Sequence, residues 1–219
     1  VTAALILSDV DSFRDEWHDL PSTTEQIRTI LVSLGITTRI TDAPPQLPTD
    51  TNEFALVVIN LGTIRADADP IVNRLTTYVE AGGAILAVHS SAVGLGHSEI
   101  WRSIIGGSWV EDFTWHPDEG EGEVSFRGIG APNESRFRLH DEFYTDLVTV
   151  GRPREVAWHE RGGVRHPLVW VKESGSGRVA YSALGHSAQS FKNAGHRKML
   201  TDLARWLLPE SSLPQGNKR

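Results

Sequence analysis

Nine histidines and no cysteine define the chemistry open to this 219-residue chain. Without a thiol, disulfides, thiolate nucleophiles, iron–sulfur clusters and cysteine zinc sites are all excluded. Imidazoles and carboxylates remain, and these groups serve acid–base work or bind zinc and similar divalent ions. Three histidines share a local context. His89 directly follows the apolar run Ala84–Val88, His186 follows Arg178–Ala183 after only Leu184-Gly185, and His18 lies in the loop after Ala3–Leu7. Ligands of open parallel sheets bind outside the carboxyl ends of the strands. That rule places His18, His89 and His186 on one edge, with Asp9, Asp11 and Asn60 beside them.

His89 is the most informative of these. Ala87-Val88-His89-Ser90-Ser91 stands where a nucleophile elbow, G-x-S-x-G, presents its reactive residue. A histidine at that tip acts as base, ligand or hydrogen-bond donor rather than as an acyl-accepting nucleophile. The competing reading is a histidine that only caps its strand. Gly185 lets the chain turn so that His186 faces back over the sheet. Two imidazoles sharing a ligand there are expected to lower one another's pKa, keeping both neutral near pH 7. A serine hydrolase using Ser90 or Ser91 with His186 is a further alternative, with the serines one and two residues past the tip. Asp141-Glu142, with Tyr144, offers carboxylates that orient an imidazole or bind sugar hydroxyls. On pattern alone, a solvated turn describes that segment better. Trp17, Trp101, Trp109 and Trp115 fall near the expected rim, where flat faces stack on sugars, although packing is the commoner use of tryptophan. Neither G-x-G-x-x-G nor G-x-x-x-x-G-K-[ST] occurs, so no nucleotide cofactor is expected.

The elements that position these groups alternate. Ala3–Leu7, Ala55–Ile59 and Ala84–Val88 are short continuous apolar runs, as strands buried on both faces require. Ile36–Ile40 is less uniform and suits an edge. Ser22-Thr23-Thr24-Glu25 has capping-box spacing before Ile27, Ile30, Leu31 and Leu34 at helical period. Pro70 opens a second helix that stops at Gly82-Gly83. The stretch from Glu111 to Glu123 is acidic and reads as a lid or rim loop. A short strand at Val124–Phe126 and a turn at Gly128–Pro132 follow it. Val156–His159, Gly162-Gly163 and Leu168–Val171 form a hairpin, and a last helix covers about Gly195 to Leu208. Strands joined by crossover helices give an α/β domain with a mainly parallel central sheet of five or more strands. The length fits one domain, residues 1–208, with 209–219 as a tail.

Composition narrows the partners. With 21 basic against 28 acidic residues, the net charge of -7 argues against nucleic acid or an anionic membrane as the main partner. Hydrophobic residues at 39% and charged residues at 22% describe a globular chain. Apolar runs fall short of the roughly 18 residues of a membrane span. Val1–Leu7 lacks the basic flank of a signal peptide, so a soluble cytoplasmic protein is expected. A homo-oligomer is left open by the tryptophan-rich middle.

Taken together, Trp17-His18, the strand ending in His89, Gly106-Gly107, His116-Pro117, Asp141-Glu142-Phe143-Tyr144, Pro167-Leu168-Val169-Trp170, Gly177–Tyr181 and Leu184-Gly185-His186 resemble the trehalose-utilisation (ThuA-like) family across nearly the whole chain. The resemblance implies a three-layer, flavodoxin-like sandwich similar to class I glutamine amidotransferase domains. It also implies that His18, His89, His116, Asp141, Glu142 and His186 face one pocket. Glutamine hydrolysis is not implied, because the elbow tip is His89 where those enzymes carry cysteine. The expected function is that of an enzyme, or enzyme component, acting on a carbohydrate or keto-sugar in bacterial sugar utilisation. The alternative is a non-catalytic carbohydrate- or metal-binding module. His89, His186, Asp141 and Glu142 are the catalytic candidates. Trp17, His18, Asn60, Trp115, His116 and Tyr144 are the substrate-binding candidates. A divalent metal such as zinc has His18, His89, His116 and His186 as candidate ligands.

Overall fold

Backbone hydrogen bonding in the computed structural model arranges the described residues, 2–129 and 134–208, around one nine-stranded sheet with a small two-stranded sheet beside it. The strands are β1 (Ala3–Ser8), β2 (Thr37–Thr41), β3 (Leu56–Asn60), β4 (Ala84–Val88), β5 (Gly107–Ser108) and β6 (Gly120–Arg127). They continue with β7 (Glu134–Asp141), β8 (Val148–Thr149), β9 (Arg154–Arg161), β10 (Val164–Ser174) and β11 (Gly177–Ser182). The helices are α1 (Leu20–Ser33), α2 (Asp69–Glu80), α3 (Ser91–Gly94), α4 (Glu99–Ile105) and α5 (Ala194–Leu207). The large sheet runs β2-β1-β3-β4-β11-β10-β9-β6-β7. From β2 to β11 every pairing is parallel, and from β11 to β7 every pairing is antiparallel.

The parallel half follows from the apolar runs. Each residue of β3 and β4 is buried, so neither face meets water and the sequence shows no polar alternation. Strand β2 pairs only with β1 and leaves Arg39 and Ile40 exposed, which is why its run is mixed. Helices α1 and α5 pack together on one face, and α2 and α4 pack together on the other. The result is a three-layer arrangement of flavodoxin-like strand order. The buried apolar side chains form one contiguous cluster spanning both halves.

Several local expectations are corrected. Helix α1 starts three residues before the capping-box reading, because Asp19 caps it by accepting from the Ser22 amide at 3.1 Å. Ser22 is then a donor to that carboxylate rather than the cap, and Pro21 fits the first turn without an amide. Helix α4 and strand β7 are additional elements: the first is short, with Trp101, Ile104 and Ile105 on its buried side, and the second alternates only over Phe137, Leu139 and Asp141. Strand β7 is an edge strand whose first half is largely solvated, so its pattern is mostly polar. The antiparallel extension is therefore longer than a single hairpin. The acidic loop ends at Gly120, where β6 begins, four residues before the expected strand. Trp101 belongs to the core rather than the rim: it is fully buried, and its Nε1 donates to the Ser91 carbonyl at 3.1 Å. Part of the Gly128–Pro132 turn and the 209–219 tail lie outside the described residues.

Leu86 sits in the centre of β4 at 2% exposure. Leu86→Ala removes packing from the one sheet face its side chain occupies and is expected to cost about 3 kcal/mol, between the limits measured for buried leucines. Urea unfolding should show a lower midpoint at an unchanged slope.

Candidate metal centre

The parallel strands deliver three imidazoles to one crevice. His18 follows β1, His89 follows β4, and His186 follows β11, the direct neighbour of β4. His89 occupies the tip between β4 and α3 with a left-handed φ of 44°, an unusual backbone for a side chain of its size. Its strain is held by hydrogen bonds: its amide donates to Ser182 at 2.6 Å, and its carbonyl accepts from Tyr181 Oη at 3.0 Å. Non-glycine residues kept in such conformations concentrate at functional sites.

The rings converge. Centroids of His89 and His186 are 5.4 Å apart, His18 and His89 5.1 Å, and His18 and His186 4.9 Å. Glu142, immediately after β7, completes the group. One nitrogen or oxygen from each of His18, His89, Glu142 and His186 lies within 4.8 Å of the others. Side-chain exposure is 5% for His18, 1% for His89, 13% for Glu142 and 14% for His186. This donor set suits a divalent transition metal.

The hydrogen bonds select which ring atoms face inward. His18 Nδ1 is 2.8 Å from Asp15 Oδ1, while its Nε2 is buried without any partner. Asp15 is itself fixed by the Thr63 amide and, at 2.7 Å, by the Thr63 hydroxyl. Gly62 makes room for it, since a Cβ there would sit 2.6 Å from Asp15 Oδ2. His89 Nδ1 donates to the Ala183 carbonyl at 2.6 Å, which leaves Nε2 as a lone-pair atom. That Nε2 lies 3.4 Å from Glu142 Oε2 and 3.2 Å from Tyr144 Oη. Carboxylate and carbonyl partners that fix the outer nitrogen of an imidazole are what metal-ligating histidines carry.

Electrostatics match this geometry. Burial, reinforced by the neighbouring His89, pushes His18 down to about 4 against the pull of Asp15. Burial also lowers His89, with Glu142 and the Ala183 carbonyl opposing it. His186 departs from the expected mutual lowering. Burial pushes it down, but the Glu142 carboxylate, 3.2 Å from its Nδ1, outweighs burial and raises it. Glu142 is held far below the usual carboxylate range: burial opposes ionisation, yet His186 and His89 more than offset it.

Beneath the quartet, Asp141 is fully buried. Its Oδ1 accepts from the amides of Glu142 at 2.9 Å and His186 at 3.1 Å, and its Oδ2 from the Gly185 amide at 2.9 Å and Ser190 Oγ at 2.6 Å. Every lone-pair direction is spent on the protein, so Asp141 positions two members of the quartet and does not face the cavity. Its carboxyl is raised by burial, which the nearby His196 and those hydrogen bonds only partly offset.

A cavity of about 380 Å³ opens over the quartet, lined by His18, Glu142 and His186 with Trp17, Thr63, Val93, Trp109, His116 and Tyr144. That volume lies at the small end of small-molecule sites. His116 lines the cavity but stands outside the quartet; its Nδ1 donates to the Pro117 carbonyl at 2.9 Å and lies 3.6 Å from Glu142 Oε1. Trp115 lies outside it, with Nε1 on Asp146 and Arg161 over its ring. Asn60 is buried and donates to the Thr23 and Thr24 hydroxyls beneath α1. Asp15 and Thr63 escaped the sequence reading. The Asp15-x-x-His18 spacing is the signal for the first, whereas nothing local marks Thr63.

Comparison with known proteins then gives three kinds of result. The family model described as ThuA, trehalose utilisation, matches residues 4–207. A ThuA-like protein from Parabacteroides merdae superposes with a TM-score of 0.72 at 17% identity, covering 94% of this chain and 89% of that one. A ThuA-like protein from Bacteroides uniformis gives 0.72 at 16% identity, covering 95% and 92%. A β-galactosidase from Halorubrum lacusprofundi gives 0.65 at 16% identity, covering 94% of this chain and 30% of that one. No protein with a curated description matches the chain.

Two outcomes follow from this geometry. In Asp141→Asn the amide nitrogen is a donor facing other donors, so the hold on Glu142 and His186 is lost. Affinity for Zn(II), measured by titration calorimetry, should fall roughly 10–100-fold with the circular dichroism spectrum retained. The second concerns pH. His18 and His159 are each pushed down to about 4 from 6.5, chiefly by burial. Between those values the unfolded chain binds protons that the folded chain does not. Stability of the metal-free protein is therefore full above 6.5 and is lost as pH falls toward 4, by about 3 kcal/mol per histidine. His159→Gln should flatten the slope of unfolding free energy against pH across that window.

Proposed function

Because this chain belongs to the ThuA trehalose-utilisation family, we propose that it is a divalent-metal-dependent enzyme acting on a neutral carbohydrate or keto-sugar. The observation that carries this reading is the quartet His18, His89, Glu142 and His186, with its four ligand atoms within 4.8 Å. A buried His18 Nε2 with no partner is costly unless something takes its lone pair, and a cation supplies that. The metal would be held by these four residues, and when bound it supplies Lewis-acid polarisation of a substrate oxygen.

The lining supports this substrate class. None of the cavity residues is lysine or arginine. A phosphorylated or carboxylated sugar would lack a counter-charge other than the metal, so the ligand is an uncharged polyol or ketone. Trp17 and Trp109 offer ring faces for the apolar side of a sugar. His116, with Nδ1 committed to Pro117, presents Nε2 to the cavity as the proton carrier. Asp15 and Asp141 act through His18 and His186 by holding them in place. The left-handed tip at His89 between strand and helix supports a fold of the class I glutamine amidotransferase type. With no cysteine in the chain, the chemistry is not that of a thioester glutaminase.

The test is uptake and turnover measured together. Metal-stripped protein should take up Mn(II), Co(II) or Zn(II), and His18→Ala or His186→Ala should weaken uptake by at least the roughly 10–100-fold cost of losing an outer partner. The loaded protein, incubated with trehalose, glucose and 3-keto glucosides, should give a product by mass spectrometry that metal-stripped protein does not. Saturable sugar binding with no product from any of them would make this a binding module. Absence of metal uptake would sink the reading outright.

A further inference from the structure

Tyr144 is fully enclosed apart from its edge on the cavity, and its ring stacks on His89 at 4.5 Å between centroids. Its hydroxyl is 3.2 Å from His89 Nε2. The direction of that hydrogen bond is decided by the other side of the ring. His89 Nδ1 faces the Ala183 carbonyl, which can only accept, so Nδ1 carries the proton. Nε2 of the neutral ring is then an acceptor, and Tyr144 donates to it. The two other tyrosines are committed elsewhere, Tyr78 to the Phe54 carbonyl and Tyr181 to the His89 carbonyl.

The same Nε2 lone pair is the one that His89 contributes to the quartet. It cannot both accept from Tyr144 and bind a cation. Resting on the metal reading above, we infer that Tyr144 is a catalytic residue whose hydroxyl competes with a cation for His89 Nε2 and, with the cation bound, donates to a substrate oxygen in the cavity. A buried hydroxyl that loses its acceptor is costly until it finds another. With Glu142, the carboxylate of the lining, committed to the cation, the new acceptor is supplied by the ligand. Metal loading and substrate recognition are coupled through this one proton donor, and the phenol is arranged so that it favours an oxygen ligand only when the metal is present.

The isosteric variant Tyr144→Phe removes the hydroxyl and keeps the ring on His89. Co(II) affinity should be unchanged or a few-fold tighter, because a competitor for Nε2 has gone. Acetohydroxamate, used as an oxygen-donor probe and followed through the visible Co(II) spectrum, should bind the loaded variant about tenfold more weakly than loaded wild type, the loss of one hydrogen bond. Wild-type protein labelled with 3-fluorotyrosine gives a reading that does not depend on the variant. One of its three tyrosine resonances should shift on Zn(II) loading and shift again on adding acetohydroxamate. Equal hydroxamate affinity in the variant, no hydroxamate binding by the loaded wild type, or a fluorine spectrum insensitive to hydroxamate overturns the inference while leaving the metal site standing. Wild-type protein that takes up neither metal fails at the earlier step, so the two failures are read separately.

Discussion

The arrangement of this site depends on one buried carboxylate. Asp141 ends β7, the far edge of the sheet, and β7 is separated from β11 by β10, β9 and β6. In a flat sheet those strands would stand about 19 Å apart. Asp141 Oδ2 is nevertheless 2.9 Å from the Gly185 amide just beyond β11. The antiparallel extension therefore curls back over the parallel half, and the Asp141 hydrogen bonds close it. Glu142 reaches the three histidines because it is the next residue. An ionised or protonated carboxyl at this depth is tolerable only with its acceptors filled, and four donors fill them.

Charge in the crevice is balanced around that closure. Glu142 is ionised beside His186, and Asp15 is held below its usual pKa by Thr63 and His18 although burial opposes this. Two carboxylates against neutral His18 and His89 leave the centre electronegative even when His186 carries a proton, which is the field a divalent cation needs. The outer nitrogens of His18 and His89 are anchored to a carboxylate and a carbonyl, so little reorganisation of these rings would accompany binding of a cation. Tyr144 ties the centre to the rest of the extension. Its hydroxyl meets His89, while its carbonyl accepts from His159 at 3.1 Å.

The sequence by itself determined the parallel half of the fold and half of the site. Strands β1, β3 and β4 are buried on both faces, and burial on both faces leaves an apolar run that needs no context to read. The rule that ligands gather at the carboxyl ends of such strands then singled out His18, His89 and His186, because strand ends are local features. The resemblance added Glu142 and His116.

Only the tertiary structure decided the rest. Strand β7 is solvated along much of its length, so its alternation is confined to Phe137, Leu139 and Asp141, and the closure that brings Glu142 across the sheet is a contact between positions 44 and 45 residues apart in sequence. The split of roles within Asp141-Glu142 was equally hidden. Adjacent carboxylates look alike in sequence, yet one is saturated by amides and the other faces the histidines. Asn60 sits at a strand end like the histidines, but its amide turns toward the Thr23 and Thr24 hydroxyls under α1. Thr63 and Asp15 matter through a bond spanning 48 residues. Periodicity records which side of an element faces the core; it does not record which polar atom is left over once the backbone has taken its share.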